Sequence, residues 1–322
     1  MSSFSRNPAP RIWPITLTAC LAAVFQPQVP LSAAQETDAT ATSQPEIVAT
    51  VNGTSITADQ VERDMARTLQ GINLSPAQQT EARTATLDKL INQQIAFEFL
   101  KKHGIAAGDE EVRLQIEELK TELETVEKTI DDYLQQTNQT LDELRFQTAW
   151  QISWKRYLQR KLTDEFLESH FNRHKRQMDG TELHVAHLIL KPPKNGTPEK
   201  IEDLTRQART ISEQITQTSL TWEEAVTQHS QAPTRDSGGL IGWIKIDGPM
   251  PPSFTRTAFK LSAGQISEPV TTKFGVHIIK CLEVKEGKLG WRDIIDEVRN
   301  SASRAYFDAI VEQHRPEVTI KR

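Results

Sequence analysis

The sequence predicts an α+β chain, with a helical N-terminal region, then a small β-α-α-β-α-β domain, then a closing helix. Three observations carry this. Residues 58–178 repeat apolar positions three and four apart, the period of buried helix faces. Residues 181–284 instead set short apolar runs between helix starts and a Gly238-Gly239 turn. From Trp291 to His314 the helical period returns.

Composition narrows the function classes. The chain has 322 residues, enough for two domains, with 25% charged residues and a net charge of −5. Acids and bases are interspersed, which argues against a broad nucleic-acid-binding face. Its two cysteines, Cys20 and Cys281, give no disulfide framework, and the eight histidines show no metal-ligand spacing. We expect no metal and no cofactor.

Residues 1–34 read as an export signal. Arg6 and Arg11 precede an apolar run from Ile12 to Phe25, too short to span a bilayer, and Ser32-Ala33-Ala34 offers a cleavage site. A second reading is lipidation of Cys20, because Leu17-Thr18-Ala19-Cys20 has the form of a lipobox. Against it, the apolar run continues to Phe25. An uncleaved anchor is a minor third reading. In each case the chain is expected to be exported across a bacterial inner membrane to the periplasm or envelope, with a lipid tether if Cys20 is lipidated. Residues 35–45, rich in Thr, Ala, Ser and Gln, read as a flexible linker.

Order is expected from Ile47. Residues 47–51 form a strand ending in the Asn52-Gly53 turn, and Thr57 through Gln60 make a capping box. The helix that follows aligns Val61, Met65 and Leu69. Ser75-Pro76 starts a second helix, stopped at Gly104, with Leu87, Leu90, Ile91, Ile95 and Leu100 as its buried stripe. A third opens at Asp109 and aligns Val112, Ile116, Leu119, Leu123, Val126 and Ile130. This heptad suits a coiled coil or, as the better reading at this length, a helix packed in its own domain. Thr140 to Glu143 is another capping box, and Trp150, Trp154 and Tyr157 beyond it read as core. The basic stretch 164–178 reads as a solvated connecting helix.

In the central domain, residues 182–191 are a strand ended by Pro192-Pro193. Ile201, Leu204, Ala208, Ile211 and Ile215 line one helix, and Thr221 to Glu224 caps the next. Gly238-Gly239 allows positive φ and a close backbone approach. Residues 240–244 are a strand, Phe254 to Phe259 a short helix, and 274–284 the last strand. Cys281 on it reads as a small buried hydrophobe.

Several of these runs together resemble the parvulin-type peptidyl-prolyl isomerases. They are Val185 to Leu190, Gly238 to Trp243, Met250 and Phe254, Gly264 to Val270, and Phe274 to Ile279, about a hundred residues in the family's order. The region from Ile47 onward resembles, more loosely, the N-terminal chaperone domain of the SurA/PrsA type of exported foldase. The resemblance implies a SurA-like helical domain (46–178) completed by the C-terminal segment (286–322), with the parvulin-like domain (181–284) inserted between.

The resemblance also assigns a site. The family's paired histidines fall on His187 and His277, and its network hydroxyl on Thr272. The apolar slot for a proline ring falls on Ile241, Met250 and Phe254, and Phe274 is expected to enlarge its floor. A lone strand histidine is ordinarily a satisfied core residue, but two at matching positions favour function. Twisting an X–Pro amide needs neither nucleophile nor metal; it needs a site that favours the twisted form. One departure stands out. The family's usual Asp or Cys falls on Ala232, whose methyl accepts no hydrogen bond. Asp236, four residues on, is the nearest substitute and the weaker reading.

Two functions are implied. The first is an exported foldase catalysing X–Pro isomerisation in unfolded, proline-containing clients. The second is a non-catalytic holdase that grips unfolded chains through both domains. A purely structural envelope protein is a third, weaker expectation.

Overall fold

The computed structural model describes residues 45–193, 197–317 and 320–321. The expected export signal, Cys20 and linker residues 35–44 lie outside the described residues, as do Val318 and Thr319 of the expected last strand. The α+β class is observed, with helices around two small antiparallel sheets.

The N-terminal hairpin pairs β1 (Ile47–Val51) with β2 (Thr54–Thr57) across Asn52 and Gly53, both at positive φ as a tight two-residue turn requires. Helix α1 (Ala58–Thr68) follows without a loop. Thr57 accepts a hydrogen bond from the Gln60 amide, the half of the capping box that forms. Helix α2 (Pro76–Lys102) buries Leu90, Ile91, Ile95 and Leu100. Tyr157 of α5 (Leu141–Lys161) joins that core, with Trp150 and Trp154 packed partly buried against it.

The long heptad is not one helix. Helix α3 (Asp109–Glu124) stops six residues before Ile130, Val126 is exposed, and Glu127 takes φ +56°. Thr129 and Asp132 then form a capping box that restarts the chain as α4 (Ile130–Thr137). A local cap outcompetes a continuing apolar period because it satisfies free helix-end amides at once.

Helix α6 (Asp164–Met178) is likewise no solvated connector. Leu167, Phe171 and His170 are buried, packed with Trp291 and with Val298 and Ala302 of α10 (Ile295–His314). Of its basic residues, only Arg173 and Lys175 are exposed. Helix α10 also packs on α2, burying Ile310 and Val311 in the first core. Beyond it, β7 (Ile320–Lys321) pairs with β1, so one sheet has the order β2-β1-β7.

Between α6 and α10 lies the second sheet, order β4-β3-β6-β5. It is built from β3 (Glu182–Leu190), β4 (Leu240–Ile244), β5 (Val270–Thr272) and β6 (Gly275–Lys285). Three-residue β5 adds a strand to the β-α-α-β-α-β expectation; it is too short to show a period. Alternation along β3 and β6 splits the domain into two cores. Ala186, Leu188, Leu190, Val276 and Ile278 face α7 (Pro198–Thr216) and α8 (Trp222–His229). Leu183, Val185, Ile279 and Cys281 face α9 (Pro252–Ala258).

Candidate functional site

His187 and His277 share the α9 face of the sheet. The register pairs His187 with Ile279 and Ile189 with His277, so the two imidazoles sit on a sheet diagonal, within reach of each other. Their Nδ1 atoms are 3.1 Å apart, and His277 Nε2 lies 2.8 Å from Thr272 Oγ1. Phe254, fully buried, stands edge-on to both rings, with centroids 6.0 Å from His187 and 5.5 Å from His277.

Burial holds each ring at a pKa of about 4. For His187 the Lys191 ammonium lowers it further, and for His277 the other ring does. Both are therefore neutral at pH 7, and one Nδ1 must donate to the other. The direction depends on the tautomer. Thr272 Oγ1 accepts from the Phe274 amide at 3.0 Å. The 2.8 Å contact between that oxygen and His277 Nε2 suits two tautomers. With Thr272 as donor, His277 Nδ1–H donates to His187 Nδ1 and the His187 proton sits on Nε2; with His277 Nε2–H as donor, the bond between the Nδ1 atoms reverses and His187 Nε2 is an acceptor. His187 Nε2 has no hydrogen-bond partner among the described residues. No described carboxylate hydrogen-bonds either ring.

The line of bonds depends on its hydroxyl. Thr272→Val keeps the shape but strands a buried imidazole nitrogen. Urea unfolding should show a loss of about 1–3 kcal/mol.

The chain around this pair is tightly stitched. Gly239 packs on β3, its carbonyl accepting from the His187 amide at 2.8 Å; a Cβ on it would lie 2.2 Å from the His187 carbonyl oxygen. Trp222 Nε1 donates to the Gly238 carbonyl at 3.0 Å and anchors the glycine turn from α8. The Gln231 amide donates to the Ile189 carbonyl, and Gln231 Oε1 accepts from the Lys191 amide. The roles of Trp222, Gln231 and Lys191 are not legible in the sequence. No period or spacing marks a residue that acts through a single long-range bond.

Ile241 and Met250 are half-buried beside Phe254 in the α9-side core, so these three assigned slot residues meet. Phe254 has no exposed surface; it backs the histidines while the other two reach the surface. Phe274 does not join them. Thr272 pairs with Gly275, which puts residues 273 and 274 at the tip of the β5–β6 turn. The Phe274 ring is 53% exposed there, with Lys273 Nζ 5.2 Å above it. Its amide, not its ring, reaches the network.

Ala232 is buried, its methyl standing where the resemblance expects Asp or Cys. Asp236 does not replace it. That side chain is 88% exposed and bound to Arg235 Nε at 3.2 Å, because the 3-10 turn Arg235–Ser237 points it outward.

Comparison with known proteins matches these regions to two families. Residues 187–283 match the PPIC-type PPIase domain, and residues 6–150 match the SurA-like N-terminal domain. The chaperone SurA of Chromohalobacter salexigens is 23% identical over 272 residues, covering 80% of this chain and 62% of that protein. A parvulin-like PPIase of Rickettsia felis is 30% identical over 148 residues, covering 45% of this chain and 48% of that protein. The chain thus spans less than two thirds of the length of these relatives. Among solved structures, the peptidylprolyl isomerase PrsA of Bacillus anthracis aligns with a TM-score of 0.36 at 19% identity, covering 72% of this chain and 96% of that one.

Proposed function

We propose, for a chain that joins a SurA-like N-terminal domain to a PPIC-type PPIase domain of the parvulin type, that it is an exported foldase. It catalyses cis–trans isomerisation of X–Pro bonds in unfolded envelope or secreted proteins. The observation that carries this reading is the neutral His187–His277–Thr272 line of hydrogen bonds beside an apolar surface.

The chemistry asks for such a site. Rotation about the amide carries a barrier of ~18–20 kcal/mol, because the twisted state loses resonance. A proline ring held against Ile241 and Met250, with Phe254 behind them, would fix one side of the bond. In the tautomer where Thr272 donates, His187 Nε2–H is the donor free to meet the substrate. Rings at a pKa of about 4 stay uncharged at neutral pH, so their work is to hold a fixed hydrogen-bond pattern that suits the twisted amide. In this scheme His187, His277 and Thr272 are the catalytic constellation. Phe274 is left as an exposed contact for the client rather than part of the floor. The periplasm or envelope is the proposed location, with cleavage at residues 32–34 or lipidation at Cys20 as the two routes to it.

Ala232 favours a second reading, a holdase that binds unfolded polypeptide without useful turnover. Removing one electrostatic contact from a site can cost ~10²–10³ in rate. The deciding experiment is isomerisation of a short X–Pro peptide by the wild type, a His187→Ala, His277→Ala double variant and Ala232→Asp. The foldase reading expects catalysis in the wild type, at least a hundredfold loss in the double variant and a gain in Ala232→Asp. No catalysis in any of them, with client aggregation still suppressed, would establish the holdase instead.

A further inference from the structure

Strand β4 runs beside β3 only as far as the pair of Ala186 with Leu240. The rest of that edge of β3 still has backbone groups to satisfy. Residues 230–239 satisfy them in place of a strand. Ser230 Oγ accepts from the Ile189 amide at 3.4 Å, and the Gln231 amide donates to the Ile189 carbonyl at 2.9 Å. Gln231 Oε1 accepts from the Lys191 amide, and the Gly239 carbonyl accepts from the His187 amide. The loop that carries Ala232 is thus a surrogate strand, and one of its bonds falls on the backbone of a site histidine.

The two ends of this loop are held differently. Ser230 and Gln231 follow α8 directly and bond β3 themselves. The other end is Gly238-Gly239, two residues at positive φ with no side chains to pack. Trp222 fastens that end. Its indole N–H donates to the Gly238 carbonyl at 3.0 Å, and no backbone amide of a described residue bonds that carbonyl. The indole is itself firmly seated. It is 4% exposed, in one core with Ala186 and Leu188, and Lys280 Nζ lies 5.5 Å over its ring. The capping box of Thr221 and Glu224 sets the first turn of α8, in which Trp222 lies. Trp222 belongs to the α7 and α8 face of the sheet and His187 to the α9 face. The indole therefore acts on the site only through Gly238, Gly239 and the His187 peptide.

We infer that Trp222 is a positioning residue for His187. Its N–H holds the Gly238 peptide, and that peptide sets where the Gly239 carbonyl meets the His187 amide. The assignment rests on the isomerase reading above, for a site in which a misplacement of about 1 Å can cost ~10²-fold in rate.

The test uses the full chain with the Trp222 indole replaced by benzothiophene, which keeps the fused rings and puts sulfur where the N–H stood. Val226→Ala is the control, because it opens a cavity in the same helix and core while every bond of the glycine turn stays in place. Isomerisation of a short X–Pro peptide gives kcat and KM. NMR of isotope-labelled histidine ring nitrogens, assigned with His187→Gln, reports the geometry of the pair. The benzothiophene variant should lose about tenfold in kcat with KM unchanged, and its His187 ring signals should shift. Val226→Ala should lower the urea midpoint more, yet keep kcat and those signals. Unmoved His187 signals in the benzothiophene variant would overturn the proposal, and so would an unchanged kcat where the wild type is active. Equal shifts in Val226→Ala would overturn it too and make Trp222 one more core residue. A wild type without catalysis would sink the isomerase reading alone, and the ring signals would still decide whether Trp222 positions His187.

Discussion

Gly239→Ala is expected to abolish isomerisation and to lower the stability of the parvulin-type domain by about 3 kcal/mol or more. The new Cβ would lie 2.2 Å from the His187 carbonyl oxygen, a backbone atom of a central strand that has no rotamer to move. Gly239 also sits at φ +76°, where an L-residue is strained whatever the space around it. Relief requires β3 to shift away from the glycine turn, and His187 moves with β3. Gly238→Ala is the control. Gly238 has φ +65° but nothing within 4 Å of its added Cβ, so it should lose only about 1 kcal/mol and keep its activity. Urea unfolding and the X–Pro assay on both variants separate the two effects. Equal behaviour of the two variants would show that the approach to His187 does not matter.

Acid should destabilise the same domain at a pH where few carboxylates have titrated. Both histidines have folded pKa values of about 4, against an ordinary imidazole value near 6.5. The folded state therefore resists protons that the unfolded chain accepts. Stability from this pair is complete above pH 6.5 and is lost as pH falls from 6.5 toward 4. Because His187 is only half-buried and the rings are coupled, the total is about 2–4 kcal/mol for the pair. Urea midpoints at pH 7.5, 5.5 and 4.5 should fall in the wild type. They should fall much less in His187→Gln, His277→Asn. Isomerisation by the folded protein should stay flat from pH 5 to 8, since neither ring titrates there. A rate that rises through pH 6.5 would mean that a histidine exchanges protons during the reaction.

The sequence disclosed elements through their caps and periods. Ser75-Pro76, Thr140 and Thr221 each open a helix in the structure as their side chains dictate. The histidine pair was legible only because two strand residues, His187 and His277, stood in a recognisable order of motifs; burial and periodicity alone would have filed them as core. Where the reading failed, two signals competed. At residues 124–130 the apolar heptad continued, but the Thr129 cap broke the helix. In α6 the basic residues were conspicuous, while Leu167, Phe171 and His170 quietly formed the buried face. Phe274 failed for a geometric reason, because a register shared by Thr272 and Gly275 makes its position a turn tip, and no local pattern reveals register.

The pairing of Glu182 with Lys285 has a consequence for how the chain assembles. Residues 320–321 must find β1, whose partners Thr50 and Val51 lie some 270 positions earlier. A chain made from its N-terminus cannot finish the first sheet until that late segment arrives. Until then one edge of β1 and the α10-facing side of α2 stay open to solvent and to other chains. The intervening domain has its own two cores and can close first. Once it does, its entry and exit points are side by side. About a hundred residues then drop out of the search, and the entropy of joining the two distant segments becomes that of a much shorter loop. A single strand register thus lets the later-made domain, once closed, serve as the splint on which the earlier-made one is completed.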